Sequence, residues 1–208
     1  MLQEPTSHLT DPRTGALSGA TGRYAKRLSE LSGIYADRDA YAAACAAGGD
    51  RVVYHVHEVR PAAARGDLIF GTTVMEPGRI GEEFFVTRGH VHAVANRPET
   101  YTGESGAGVM LLESPEGETR TLPIAPRVTI YVPPLWIHRS VNTGAEPLVM
   151  SFCYPSDSGQ DYDVIARSGG VAMRIMADGT GWRAVPNAAY RPRSRAEIDA
   201  ILATQDEP

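Results

Sequence analysis

Apolar positions in this chain follow two rhythms. Between Thr21 and Gly33, Tyr24, Leu28 and Leu31 fall at i, i+4 and i+7. That stripe predicts a helix capped by Thr21 and ended by Gly33. A second helix is predicted from Asp37 or Asp39 through YAAACAA to a stop at Gly48-Gly49. Both are expected outside a sheet, their stripes serving as core rather than as a cofactor box.

From Arg51 the period falls to two. RVVYHVHEVR puts Val53, His55, His57 and Val59 on one face and Val52, Tyr54, Val56 and Glu58 on the other. DLIFGTTVMEP is the next strand, and EPGRIGEE carries a Pro-Gly turn. EFFVTRGHVH reads as a strand, ETYTGESGAGVMLLE as a Gly-rich bend followed by a strand, and TRTLPI as a short strand after the SPEGE turn. RVTIYVPP, IHRSVNTG and EPLVMSFCYP continue the series. SDSGQDYDVIARSGG is irregular with a short helical part. VAMRIMADGTGWRAVPN closes a hairpin about Asp178-Gly179, and Ser194 caps a last helix with Ile198, Ile201 and Leu202 as its apolar side. Short strands at about ten-residue spacing, with Gly and Pro between them, predict an all-β sandwich or barrel. No strand–helix–strand alternation and no G-x-G-x-x-G opening a helix support a dinucleotide fold.

Composition narrows this reading without changing it. With 208 residues the chain suits one domain, 21–208, preceded by an extended arm, 1–20, rich in Pro, Thr, Ser and Gly. A net charge of -5, with 20 scattered basic residues, points away from a nucleic-acid partner. Cys45 and Cys153 read as buried thiols rather than a disulfide. The N-terminus lacks a basic start and apolar run, and no stretch of ~18 apolar residues occurs. The expectation is a cytoplasmic enzyme with no membrane contact.

Candidate chemistry concentrates in TRGHVHAVANRPE, residues 87–99. On a strand, His90 and His92 would share a face and converge on one ion. Asn96, Arg97 and Pro98 suit a turn that returns Glu99 on the next strand. Far downstream, PPLWIHRSVN supplies His138, and three imidazoles with one carboxylate suit a divalent transition metal. Trp136 reads as packing, and Asn142 as a turn or outer hydrogen-bonding residue. His55 and His57 form a second HxH pair, but no carboxylate follows at a comparable spacing. They and His8 are read as lying outside the site.

GHVH, then Glu99, Gly106 and Gly108, resembles the first cupin motif, and Pro133-Pro134 through His138 to Asn142 resembles the second. The general pattern has three or four residues between HxH and the carboxylate; here AVANRP is longer, which singles out a subgroup. EPGRIGEEFFVTRGHVH, ETYTGESGAGVMLL, VPPLWIHRSVNTG and SGQDYDVIARSGG together resemble the cupin-type (archaeal-type) glucose-6-phosphate isomerases, over roughly residues 50–170. The resemblance implies a single cupin barrel, a double-stranded β-helix or jelly roll, with short flanking helices at both ends. It implies one divalent transition metal per chain, iron first and Mn, Ni, Co or Zn as alternatives, held by His90, His92, Glu99 and His138. Glu99 and Tyr101 become the catalytic candidates. Tyr54, Thr73, Thr87, Gly89, Tyr154, Gln160 and Tyr162 become the substrate-binding ones. Many family members have His directly before the Asp-Tyr pair; Gln160 stands there, and glutamine cannot shuttle a proton near neutral pH.

The implied activity is interconversion of glucose 6-phosphate and fructose 6-phosphate, by enediol proton transfer through Glu99 or by a metal-assisted hydride shift. Mannose 6-phosphate stays open as a further substrate, and a homodimer is expected by family analogy. Two other readings stand beside this one: an iron-dependent cupin dioxygenase, and a non-catalytic sugar-binding cupin.

Overall fold

The computed structural model describes residues 4–47, 49–61 and 66–204. Gly48, half of the expected helix stop, and the first three residues of the arm lie outside them.

The first expected helix is a strand. β1 (Gly22–Arg27) pairs antiparallel with β2 (Val52–Val59), with Arg23 opposite His57 and Ala25 opposite His55. Only Leu28–Leu31 coils, as a single 3-10 turn that buries Leu28 and Leu31. The helical spacing of Tyr24 and Leu28 is therefore coincidental. An open sheet edge offered the backbone of β1 a full row of partners, and such tertiary pairing outweighs a weak local preference. The second helix forms as α1 (Arg38–Ala47), and Tyr41, Ala44 and Cys45 pack from it against the core.

The remaining strands are short and antiparallel. β3 (Leu68–Met75) follows β2, and the two-residue strands β4 (Arg79–Ile80) and β5 (Glu83–Phe84) form a small hairpin. Residues 85–92 do not continue as the regular strand expected there. They make isolated bridges, Val86 to Val141, His90 to His138 and Val91 to Asp161. Gly89, at φ +75, breaks the pleat between them, a backbone conformation that L side chains resist. ETYTGES, expected as a bend, is strand β6 (Glu99–Ser105), and the bend falls at Gly106 and Ala107.

Beyond the bend come β7 (Gly108–Glu113), β8 (Thr119–Ile124), β9 (Thr129–Val132), β10 (Ile137–Asn142) and β11 (Leu148–Pro155). α2 (Asp163–Arg167), the hairpin β12 (Met173–Asp178) and β13 (Gly181–Pro186), and α3 (Arg195–Leu202) complete the chain. Ser194 caps α3 as expected, accepting from the Glu197 amide, with Ile198 and Ile201 buried beneath.

These strands make three antiparallel sheets, ordered β1-β2-β3-β11-β6-β9, β10-β7-β8 and β13-β12-β5-β4. The fold is thus mostly β, with short helices. Val56, Met75, Met110, Ile130, Val141 and Met150 belong to one continuous apolar core drawn from the first two sheets. On β2 the polar alternation holds. Tyr54, Val56 and Glu58 are buried, whereas His55 and His57 lie half-buried on the far face. There the N-terminal arm crosses them, and His57 Nδ1 donates to the Gly15 carbonyl at 2.9 Å. Cys45 and Cys153 are free thiols, half-buried rather than fully so.

Candidate metal centre

His90 and His138 face one another because their backbones are paired. Each amide donates to the other's carbonyl, at 3.1 and 2.9 Å. Residues that exchange both bonds across an antiparallel pair project side chains to the same face. Val91 then pairs with Asp161 in the same way, which returns His92 to the side of His90. The expected turn follows, closed by the Arg97 amide on the Val94 carbonyl at 3.1 Å. It delivers Glu99 as the first residue of β6, opposite Val132.

The result is a tight cluster. The ligand atoms of His90, His92, Glu99 and His138 all lie within 4.8 Å of one another. Glu99 Oε2 stands 3.0 Å from His138 Nε2, 3.3 Å from His92 Nε2 and 3.9 Å from His90 Nε2. Three of the side chains are almost fully buried, and His90 keeps 12% of its surface exposed.

The other ring nitrogens settle the tautomers. His92 Nδ1 donates to the Arg97 carbonyl at 2.7 Å and His138 Nδ1 to the Trp136 carbonyl at 3.0 Å. With the proton on Nδ1, a neutral imidazole turns a lone pair toward Glu99. Lone pairs facing a buried carboxylate repel unless a cation stands among them. The Nε2 atoms of His90 and His92 have no hydrogen-bond partner at all. A divalent ion would satisfy all three imidazoles and the carboxylate together, and the Nδ1 bonds are the usual outer support of such ligands. The donor set therefore fits a divalent transition metal.

Electrostatics agree. Burial, and then His138, hold the His90 imidazole well below its usual range, so it stays neutral. Burial pushes the Glu99 carboxyl up, but the close His138 and His92 rings outweigh that and hold it at about 2. Burial, and then the Glu99 charge, raise the Tyr101 phenol well above its usual range, leaving it a neutral donor beside the carboxylate.

A cavity of about 550 Å³ opens above the cluster. His90, Glu99 and His138 form part of its lining, with Tyr101 beside them. Tyr54, Thr73, Thr87 and Gly89 line it from β2, β3 and the irregular segment. Tyr154, Gln160 and Tyr162 line it from β11 and the loop that follows. Every expected substrate residue is thus brought to one space. Tyr162 donates its hydroxyl proton to Gln160 Oε1. The Thr87 hydroxyl oxygen accepts from the Ser140 amide at 3.0 Å, which leaves its own proton to donate. Burial pushes the Tyr54 phenol up to about 12.

Sequence reasoning misses Arg88, Arg139, Ser140, Tyr24 and Phe152, which also line the cavity. The Arg88 guanidinium lies 4.4 Å from the centroid of the Tyr162 ring. Its position directly before Gly89-His90 was the available signal. Ser140 could have been found from strand alternation with His138.

Fold and site together define a mostly β protein with a buried His-His-Glu-His cluster able to hold a divalent metal under a tyrosine-rich polar cavity. The sequence profile of the family described as Glucose-6-phosphate isomerase (GPI) matches residues 25–193. A "Glucose-6-phosphate isomerase" of Sinorhizobium medicae (strain WSM419) is 56% identical over 201 residues, 96% of this chain and 94% of the relative. One from Pyrococcus horikoshii is 43% identical over 169 residues, covering 81% and 88%. One from Thermococcus kodakarensis is 44% identical over 169 residues, with the same coverage. The chain belongs to the glucose-6-phosphate isomerase family, in its cupin-fold, archaeal-type branch.

Proposed function

We propose that this enzyme interconverts glucose 6-phosphate and fructose 6-phosphate in the cavity above His90, His92, Glu99 and His138. The observation that carries the proposal is the convergence of three imidazoles and one carboxylate beneath hydroxyl donors suited to a sugar phosphate. A divalent ion held by these four, with iron our first choice, would supply Lewis-acid stabilisation of negative charge growing on the sugar oxygens. The rest of the chemistry falls to the chain.

Thr73, Thr87 and the Gly89 amide supply donors for the phosphate, and Tyr54 and Arg88 stand beside them. Tyr101, held as a neutral phenol, donates to the reacting end and keeps Glu99 oriented. Tyr154, Gln160 and Tyr162 close the far side. Gln160 positions a sugar hydroxyl and moves no proton. Glu99 is the carboxylate within reach of C1 and C2 of a sugar seated here. A carboxylate held on a metal would be a weak base, which favours a direct hydride shift between the carbons over proton transfer through an enediol. Retention of a C2 deuterium label through turnover in ordinary water would support the shift; washout would assign the proton to Glu99.

We read the first two sheets as the two walls of one cupin jelly-roll barrel in a single domain, 21–208, with residues 1–20 as an arm across its outside. The alternating strand order supports this. A homodimer and a cytoplasmic location follow by family analogy; among the described residues no helix is long and apolar enough to cross a membrane. The deciding experiment is a coupled assay on fructose 6-phosphate with chelator-stripped and metal-refilled protein. Activity that vanishes on stripping and returns on refilling is expected. Full activity without metal would overturn the reading.

A further inference from the structure

A second groove, of about 1700 Å³, lies beneath β10 on the side away from the metal. Its wall includes Tyr35, Arg38, Arg174 and Asn187, and it shares Arg88, Arg139 and Tyr162 with the first cavity. Along β10 side chains alternate, so His138 and Ser140 project to the metal side, whereas the Arg139 side chain leaves the strand on the other and borders both cavities. The charges that act on Arg139 come from that other side: Glu83, Arg174 and Glu113.

The buried charges there do not balance. Arg174 Nη1 donates to both oxygens of Glu83, at 2.7 and 2.9 Å. Arg193 Nη2 pairs with Glu113 at 2.7 Å. Arg139, only 5% exposed, has no carboxylate among the described residues. Its Nη2 donates to the Arg88 carbonyl at 2.6 Å, and its Nε has no partner. The Tyr35 hydroxyl, in a residue 4% exposed, has its oxygen toward the Val86 backbone but no acceptor for its proton. Arg139 is thus a buried guanidinium whose nearby carboxylates, Glu83 and Glu113, are already paired, and both unsatisfied groups on this wall are donors. An unpaired buried charge is costly, and unsatisfied buried donors call for an acceptor.

We propose that this groove is a second ligand site, built for a small oxyanion with carboxylate or phosphoryl oxygens, with Arg139 as counter-charge and the Tyr35 hydroxyl as an added donor. The occupant would be felt at the metal. Arg139 holds the carbonyl of Arg88, two residues before His90, and a Cβ on Gly89 would lie 3.0 Å from Arg139 Nε. The site is therefore a means by which an anionic metabolite can tune the segment that carries a metal ligand. It stands independently of the isomerase reading, because its readout is binding rather than turnover.

The test is calorimetric titration of the metal-loaded full chain with inorganic phosphate and, separately, malonate, each with and without saturating fructose 6-phosphate. Binding with a Kd of about 1 mM or tighter that persists in the presence of the sugar phosphate is expected for at least one anion. Phosphate alone would assign a phosphoryl ligand, and malonate alone a carboxylate. Tyr35→Phe should weaken binding about tenfold, the loss of one hydrogen bond to a charged group, and Arg139→Met should abolish it. If Arg139→Met does not fold, Tyr35→Phe decides. No binding by either anion, binding displaced completely by fructose 6-phosphate, or an unchanged affinity in Tyr35→Phe would each overturn the proposal.

Discussion

Gly89→Ala tests how the backbone of the irregular segment holds the metal centre. Gly89 sits at φ +75. An L residue pays about 1–2 kcal/mol to adopt that conformation. Space is a second obstacle, because a Cβ there would meet Arg139 Cβ, Arg139 Nε and Ile165 Cδ1, each at 3.0 Å. Forcing a methyl group into packed surroundings costs about 1–3 kcal/mol more. The sum is a loss of about 2–5 kcal/mol. Gly179 separates the two effects. It has φ +57 and nothing within 4 Å, so Gly179→Ala should cost only the conformational part, about 1–2 kcal/mol. Urea unfolding of both metal-free variants, followed by circular dichroism, gives the comparison. Because His90 is the next residue, Gly89→Ala should also weaken metal binding about 10–100-fold, as displaced support for a ligand does. Equal destabilisation in the two variants, or unchanged metal affinity in Gly89→Ala, would refute the account of Gly89 as the point where the segment is pressed against Arg139.

Three further outcomes follow from the same geometry. Glu99→Gln should lose metal affinity by more than about 100-fold, beyond what an outer partner costs, and isomerase activity should fall with it; metal content after dialysis and the coupled assay check both. In metal-free protein the folded state holds His90 and Glu99 below their ordinary pKa values, so unfolding takes up protons. Their stabilising contribution is full above about 6.5, the ordinary histidine value, and declines as pH falls, the Glu99 part from about 4.5 down to about 2. Scanning calorimetry between pH 8 and pH 4 should show that slope, and His90→Gln should flatten its upper part. Arg174→Met should cost about 3–5 kcal/mol by stranding the buried Glu83 carboxylate, and adding Glu83→Gln should recover part of it; denaturant unfolding of the single and double variants reads this directly.

The four metal ligands were legible because their spacing encodes their meeting. The HxH pair, the turn at Asn96 to Pro98 and Glu99 are local, and the later His completes a recognisable set. The strands from β6 onward were legible for the same reason, since Gly and Pro mark their ends. β1 was not, because its structure is decided by β2, about thirty residues away, rather than by its own apolar spacing. Residues 85–92 have the sequence pattern of one strand, yet the site depends on the break at Gly89, which lets separate short bridges aim His90 and His92. Arg139 could not be found from sequence at all. Nothing local to IHRSVN says that Glu83 and Glu113, the nearby buried carboxylates, already have partners in Arg174 and Arg193.

The mutual main-chain bonds of His90 and His138 have a consequence for how the protein acquires its ion. Those bonds join main-chain atoms and do not pass through the ion, and two of the three rings are fixed by backbone carbonyls. Loading is then a matter of filling a finished socket, not of assembling one. Stripped and loaded forms should superpose around the imidazoles, and rescue by added metal should need no refolding.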